Sequence, residues 1–281
     1  MITAIGIVGA IVVCIVVFLQ TCASGKLRTD LHYTTSHNVR ERFEVFAYVS
    51  GFHRCNVYAY TLCDGVTNVE SSKDTPLSLY YTTNDQPDKQ GDLLIAVQPS
   101  YRVRENAVEL NFSHALSKLS FVWQANEEGD TVTAYKLHKI VVRGKQSGTL
   151  TFSNDSNEPV WTLDARQGDH HFLIYECPDN AQPDAQQTYF NPEDALLRHV
   201  HSLFLVPGVA VAADIEYSEW KHGKLVARHN AQNIILGGRE HMAAYLLANK
   251  HYTYTFHPSA SDANPVDVTL DTNDWSTEDA F

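Results

Sequence analysis

Positive charge is scarce in this sequence. Its 281 residues carry 21 Lys and Arg against 33 Asp and Glu, a formal net charge of −12. No basic patch exists to neutralise phosphates, which excludes a nucleic-acid partner. Methionine is almost missing, at two residues, whereas Tyr and Phe number 14 and 12. That balance disfavours helical bundles and favours sheets. The signatures G-x-S-x-G and H-E-x-x-H and the phosphate-binding loop are all missing, so the chain is read as non-enzymatic with no cofactor. There is also no internal repeat and no long low-complexity tract.

Five cysteines are present, but they do not form a disulfide framework. Cys14 lies in an apolar segment and Cys22 just after it. Cys55 and Cys63 bracket an extended run without a turn signal. Eight residues of strand hold their ends about 26 Å apart, far beyond disulfide reach. The spacing does not suit zinc either. Cys55, Cys63 and Cys177 are therefore read as buried free thiols.

Charge is wholly missing from residues 2–19, and the first charged side chain is Lys26. This segment is membrane-directed and not a piece of the fold. About 18 apolar residues lie at the lower edge of what spans a bilayer, so a permanent anchor fits. A cleaved signal peptide fits as well, with only the α-amine as its basic region. The third reading is a lipoprotein signal covering residues 1–21. Leu19, Gln20, Thr21 and Cys22 resemble a lipobox, with Thr21 where Gly, Ala or Ser is usual, and Cys22 would be acylated as the mature N-terminus. Each of the three puts the remainder outside the cytoplasm.

What is present is a succession of short β patterns. The stretch 108–123 organises them. Val108, Leu110 and Phe112 alternate with polar residues, and after a polar break Leu119, Phe121 and Trp123 alternate again. Upstream, strands are expected at 43–49, 56–62, 77–81 and 92–98. Residues 99–106 form a linker, and a domain boundary is placed there. Downstream, strands are expected at 139–142, 148–152, 160–161, 172–175, 203–206, 215–217, 225–228, 234–236, 252–256 and 266–270. Residues 177–188 read as a loop. Residues 191–200 suit a short helix, capped by Asn191 with Pro192 at its first position, and 243–247 is ambiguous. Many short strands with regular turn signals indicate β-sandwiches.

Candidate chemistry is thin. Asp169, His170 and His171, and the pair His199 and His201, are the clusters that draw attention. Two His spaced by one residue share a face of a strand and can ligate zinc, but no third ligand stands at a telling spacing, so no metal site is expected. Asp267, Asp271 and Asp274 lack the order of a calcium loop and are read as surface charges. The pairs Tyr58/Tyr60 and Tyr252/Tyr254, with Tyr80, Tyr81 and Tyr101, could offer platforms that stack on sugar rings. A surface glycan-binding lipoprotein is therefore the alternative reading of function.

Four features in order resemble the fimbrillin-like family, surface pilus subunits of Bacteroidetes. Residues 43–48 resemble its early F-x-V-x-A-Y strand. Phe112, His114, Leu116, Lys118, Leu119 and Phe121 match its F-x-H-x-L-x-K-L-x-F pattern. Residues 139–152 followed by Trp161 resemble a third segment, and Leu205 to Pro207, the 252–256 strand and Trp275 resemble its ending. The resemblance implies an all-β chain of two tandem transthyretin-like β-sandwich domains, at 22–106 and 107–281. It implies a lipoprotein of the outer membrane that enters surface fimbriae and contributes to adhesion, with other fimbrial subunits, and possible host or bacterial receptors or glycans, as partners. It further implies assembly by strand exchange after a protease cuts behind an arginine, for which Arg28, Arg40 and Arg42 are the candidates. Only a short run separates Cys22 from Arg28, and the residues after Trp275 have poor strand character. Both points favour a tip, accessory or anchor component over a shaft unit.

Overall fold

The computed structural model describes residues 4–7, 12–15, 26–34, 40–49, 54–70, 72, 75–102, 108–124, 133–153, 156, 158–164, 169–177, 189–190, 202–208, 211–236, 245–259 and 265–275. It is built of strands, as the alternation predicts. Leu77, Leu79 and Tyr81 are buried while Ser78, Tyr80 and Thr82 between them are half-buried, and Leu119, Phe121 and Trp123 share a second inner face. Period-two apolar residues put one face of each strand into a core.

Two sandwiches result. In the first, a five-stranded antiparallel sheet runs in the order Ser113–His114, Leu94–Arg102, Arg54–Thr61, Arg40–Val49, Lys26–Thr34. Its inner face packs on a four-stranded sheet in the order Val160–Leu163, Ser147–Phe152, Leu77–Thr82, Val66–Glu70. Tyr58, Tyr60, Leu79, Tyr81, Ile95, Leu150 and Phe152 fill the space between. The strand Val66–Glu70 escapes the sequence pattern because its residues are mostly exposed. It is launched by the turn at Asp64 and Gly65. Gly65 has φ +105°, and a Cβ there would lie 2.2 Å from the Thr82 carbonyl oxygen, so only glycine fits.

The second sandwich pairs Ser117–Gln124 in parallel with Lys250–Pro258, which pairs antiparallel with Val266–Asp274. Leu203–Leu205 and Tyr189–Phe190 flank Ser117–Gln124 on its other side. The opposing sheet runs His170–Glu176, Thr133–Gly144, Val211–Lys221, Lys224–Leu236. Phe121, Trp123, Ile140, Val142, Phe172, Ile215, Tyr217, Tyr254 and Phe256 lie between the two. The Tyr217 hydroxyl, shared between the carbonyls of Ser259 and Pro265 at 2.8 and 2.6 Å, ties both to the opposite sheet.

Two expected strands, 225–228 and 234–236, are one strand, Lys224–Leu236, with register shifts against its neighbour. The polar residues between them read as a break, yet Ala231 is buried among them and the ladder continues. The expected helix at 191–200 lies outside the described residues. Of the ambiguous stretch 243–247, residues 245–247 form neither helix nor strand. A separate three-stranded sheet joins Ala4–Ile7, Val12–Ile15 and Val108–Asn111, so the segment expected to stand apart from the fold is paired with one of its strands in this structure.

The halves of the chain interlock. After Thr133–Gly144 in the second sandwich, Ser147–Phe152 pairs with Leu77–Thr82 in the first. His170–Glu176 then returns to the second. Gly144 and Gly148 sit at this crossing, each within 3.0 Å of a neighbour if given a Cβ.

Candidate functional site

The break between the two alternating runs of 108–123 is polar in sequence but buried in fact. His114, Ala115, Leu116 and Ser117 are each 0–1% exposed. This segment crosses from the first core to the second, and the residues of the F-x-H-x-L-x-K-L-x-F pattern divide between them. Leu116 packs in the first core, Leu119 and Phe121 in the second. The His114 ring stacks on the indole of Trp275, with centroids 3.7 Å apart and planes within 5°. Its Nδ1 lies 2.6 Å from Asp92 Oδ2. The ammonium of Lys118 sits 5.6 Å from the centre of the same indole, a cation–π geometry. Phe204 packs on Trp275 as well, at 5.0 Å.

Trp275 thus follows the last strand of the second sandwich but buries its side chain in the first core. Backbone bonds hold the same joint. Asn249 N–H donates to the Leu116 carbonyl at 3.0 Å, and Trp275 N–H to that of Asn249 at 3.1 Å. The His114 N–H donates to Asn249 Oδ1, and Trp161 Nε1–H donates to the Ala115 carbonyl at 2.9 Å. A second contact lies at the 83–90 turn. Thr83 and Gln90 bond the Phe204 backbone, Gln146 bonds Thr83 and Asp85, and His170 Nε2 lies 3.3 Å from Asp85. The pattern residues therefore form a buried joint between the two cores.

The sequence candidates fall in several places. Cys22, His199 and His201 lie outside the described residues. Arg28 is inside the edge strand Lys26–Thr34, opposite Phe46, and Arg40 and Arg42 open the neighbouring strand Arg40–Val49, opposite Thr34 and His32. The tyrosine platforms are not on the surface. Tyr58, Tyr60, Tyr81, Tyr252 and Tyr254 are 0–6% exposed, because each side chain occupies an inward position of its strand. Burial raises the pKa of Tyr58, Tyr81 and Tyr254 above the ordinary phenol value. The platforms expected at Tyr58/Tyr60 and Tyr252/Tyr254 are thereby corrected, since these rings build cores, whereas Tyr80 is half-buried and the Tyr101 side chain lies outside the described residues. Cys63 and Cys177 form no disulfide and are half-buried, not buried as expected. His170 is half-buried and His171 exposed, and among the described residues no three His, Cys, Asp or Glu side chains converge on a metal position. Asp271 and Asp274 are exposed and Asp267 half-buried on the strand Val266–Asp274.

One cluster went unnoticed in the sequence. Glu219 is 3% exposed, Lys221 Nζ sits 2.8 Å from its Oε1, and His229 Nε2 lies 3.5 Å from its Oε2. The Lys221 ammonium, helped by His229, holds the Glu219 carboxyl below the usual range against the opposing effect of burial. Glu219 and Lys221 share a face of one strand, and only register across the hairpin, with His229 opposite Tyr217, brings the third member to them.

Residues 29–275 match the profile of the fimbrillin-like family. Among solved structures, a candidate cell adhesion protein from Bacteroides uniformis is 14% identical, with 91% of this chain and 93% of that one covered, at a TM-score of 0.45. A second, from Bacteroides eggerthii, is 12% identical over 82% and 81% of the two chains, at a TM-score of 0.43. No curated protein matches the chain. Among the described residues, no helix is long and apolar enough to cross a membrane.

Proposed function

This chain belongs to the fimbrillin-like family, and we propose that it is a cell-surface fimbrial subunit contributing to adhesion, with no enzymatic role. The match over residues 29–275 carries this reading. In the proposed organisation a lipoprotein signal at 1–21 precedes a first domain at 22–106 and a second at 107–281. The second lends Ser147–Phe152 and Val160–Leu163 back to the first sandwich. Acylated Cys22 anchors the precursor in the outer membrane until it is cleaved.

Assembly proceeds by β-strand complementation with other fimbrial subunits. Lys26–Thr34 is the edge strand of its sheet, and Arg40–Val49 is its only partner strand among the described residues. A cut after Arg40 or Arg42 severs that nine-residue strand from the chain. Its ladder is then held by noncovalent bonds alone, and a strand from a neighbouring subunit can take its place through the same backbone bonds. A cut after Arg28 leaves most of the strand attached, so Arg40 and Arg42 are the stronger candidates. The final strand supports a tip, accessory or anchor role over a shaft role. Val266–Asp274 is paired along its length with Lys250–Pro258, and the next residue, Trp275, is buried in the first core. A strand held at its end in this way is poorly suited to donation.

Mass spectrometry of the mature N-terminus from surface-enriched membranes tests this reading. A new N-terminus at Glu41 or Phe43 is the expected result. An acylated Cys22 with residues 26–34 retained in assembled fimbriae would overturn the strand-exchange step.

A further inference from the structure

We propose that the open side of the second sandwich is a pairing surface for a second copy of this chain, distinct from strand exchange at the first sandwich. Two edge strands lie together there: Lys224–Leu236 ends one sheet and Val266–Asp274 ends the other. Neither has an outer partner strand among the described residues.

Their charges are opposite. Lys224–Leu236 carries Lys224 and Arg228 and no carboxylate, its His229 being held against Glu219, whereas Val266–Asp274 carries Asp267, Asp271 and Asp274, the last paired with Lys250, and no cation. Edges guarded only against self-pairing need repulsive charge of one sign facing its own kind. Opposite signs on two adjacent edges do the reverse for a copy turned by a two-fold axis running along the strands. Each basic edge then meets the acidic edge of the other molecule, and both sheets continue across the contact. The spacing agrees: Lys224 and Arg228 are four residues apart, as are Asp267 and Asp271.

Two further observations support the surface. Leu225, Val226 and Ile235 on the basic edge are 45%, 53% and 77% exposed, and an isolated sheet edge gains nothing from large apolar side chains in water. Apart from its aspartates, the acidic edge also lacks the usual guards. It pairs with Lys250–Pro258 through nine residues without a register shift, and contains no Pro, no Lys and no Gly. A regular edge of that length is a template for strand addition.

Charge reversal tests the proposal on the full-length protein without its signal segment, with mass measured by light scattering on a sizing column. The wild type is expected to form a dimer that weakens several-fold between low and high salt. The double variants K224E/R228E and D267K/D271K are each expected to be monomers, and mixing the two restores a heterodimer, because every edge contact is again opposite in sign. A monomeric wild type at all concentrations overturns the proposal, as does a dimer that survives both reversals. Circular dichroism of each variant, compared with the wild type, shows whether a monomer reflects lost pairing or lost folding. Variant R40A/R42A separates this surface from strand exchange: it blocks the proposed cleavage but leaves the dimer intact.

Discussion

The two sandwiches are built differently. The second takes its strands from one stretch of the chain, residues 117–274, although only Val211–Lys221 with Lys224–Leu236 and Lys250–Pro258 with Val266–Asp274 pair as neighbours in sequence. The first is gathered from distant parts of the chain. Its core holds Tyr58 and Leu79 from the N-terminal part, Leu116 from the crossing segment, Leu150 and Phe152 from a borrowed hairpin, Val206, and finally Trp275. Contacts of high sequence separation form late and cost more loop-closure entropy. The comparison teaches that the first sandwich depends on the second being folded, whereas the second draws almost its whole core from residues 119–268.

That asymmetry can be broken from either side. Phe256→Ala removes a fully buried ring stacked on Phe121 and should cost about 4 kcal/mol. Hydrogen exchange is expected to show loss of protection in both sandwiches, since the first loses its donor of strands. Trp275→Ala should cost about 3 kcal/mol, yet loosen only the first sandwich and leave the Phe121 and Tyr254 strands protected in the same experiment. Equal loss in both would refute the dependence. His114→Ala empties the place between Asp92 and Trp275. Leaving a half-buried carboxylate short of its partner should cost about 2 kcal/mol, measured by urea unfolding, with Asp92→Asn giving a smaller loss.

The smallest effect is on the alkaline side. Burial pushes the Tyr175 phenol up to about 12 and also raises Tyr81 and Tyr254 from 10.0. Unfolded tyrosines ionise first as pH rises. The stability linked to these groups is therefore complete below pH 10 and is lost above it, through about 12 for Tyr175. Phenolate absorbance recorded with far-ultraviolet circular dichroism should show ionisation together with unfolding, and Tyr81→Phe and Tyr254→Phe should each blunt the transition.

Much of the fold was legible as alternation. Leu77, Leu79 and Tyr81, then Leu119, Phe121 and Trp123, then Tyr252, Tyr254 and Phe256, all announce an inner face and all have one. Val66–Glu70 was not legible, because an edge strand with little buried surface has no apolar period to read. The strand Lys26–Thr34 was hidden for a similar reason, its sequence mixing charged and apolar residues without a regular period. The candidate site was legible only as a pattern of residue types. Its His, Lys and Trp275 were visible, but not that Asp92 and Trp275, which stand 22 and 161 positions from His114 in the chain, would be their partners. The tyrosine pairs were visible as sharing a face, while which face turned inward was not.

By itself the sequence determined that this chain is all-β, where most of its strands lie, and to which family it belongs, because side-chain alternation and ordered local motifs are properties of neighbouring residues. Tertiary structure alone decided that Trp275 closes the first core, that a hairpin from the second half completes the first sandwich, and that a basic edge lies beside an acidic one. Those facts depend on which distant strands pair and in what register, and backbone hydrogen bonds, being the same for every residue, leave no mark of their partners in the sequence.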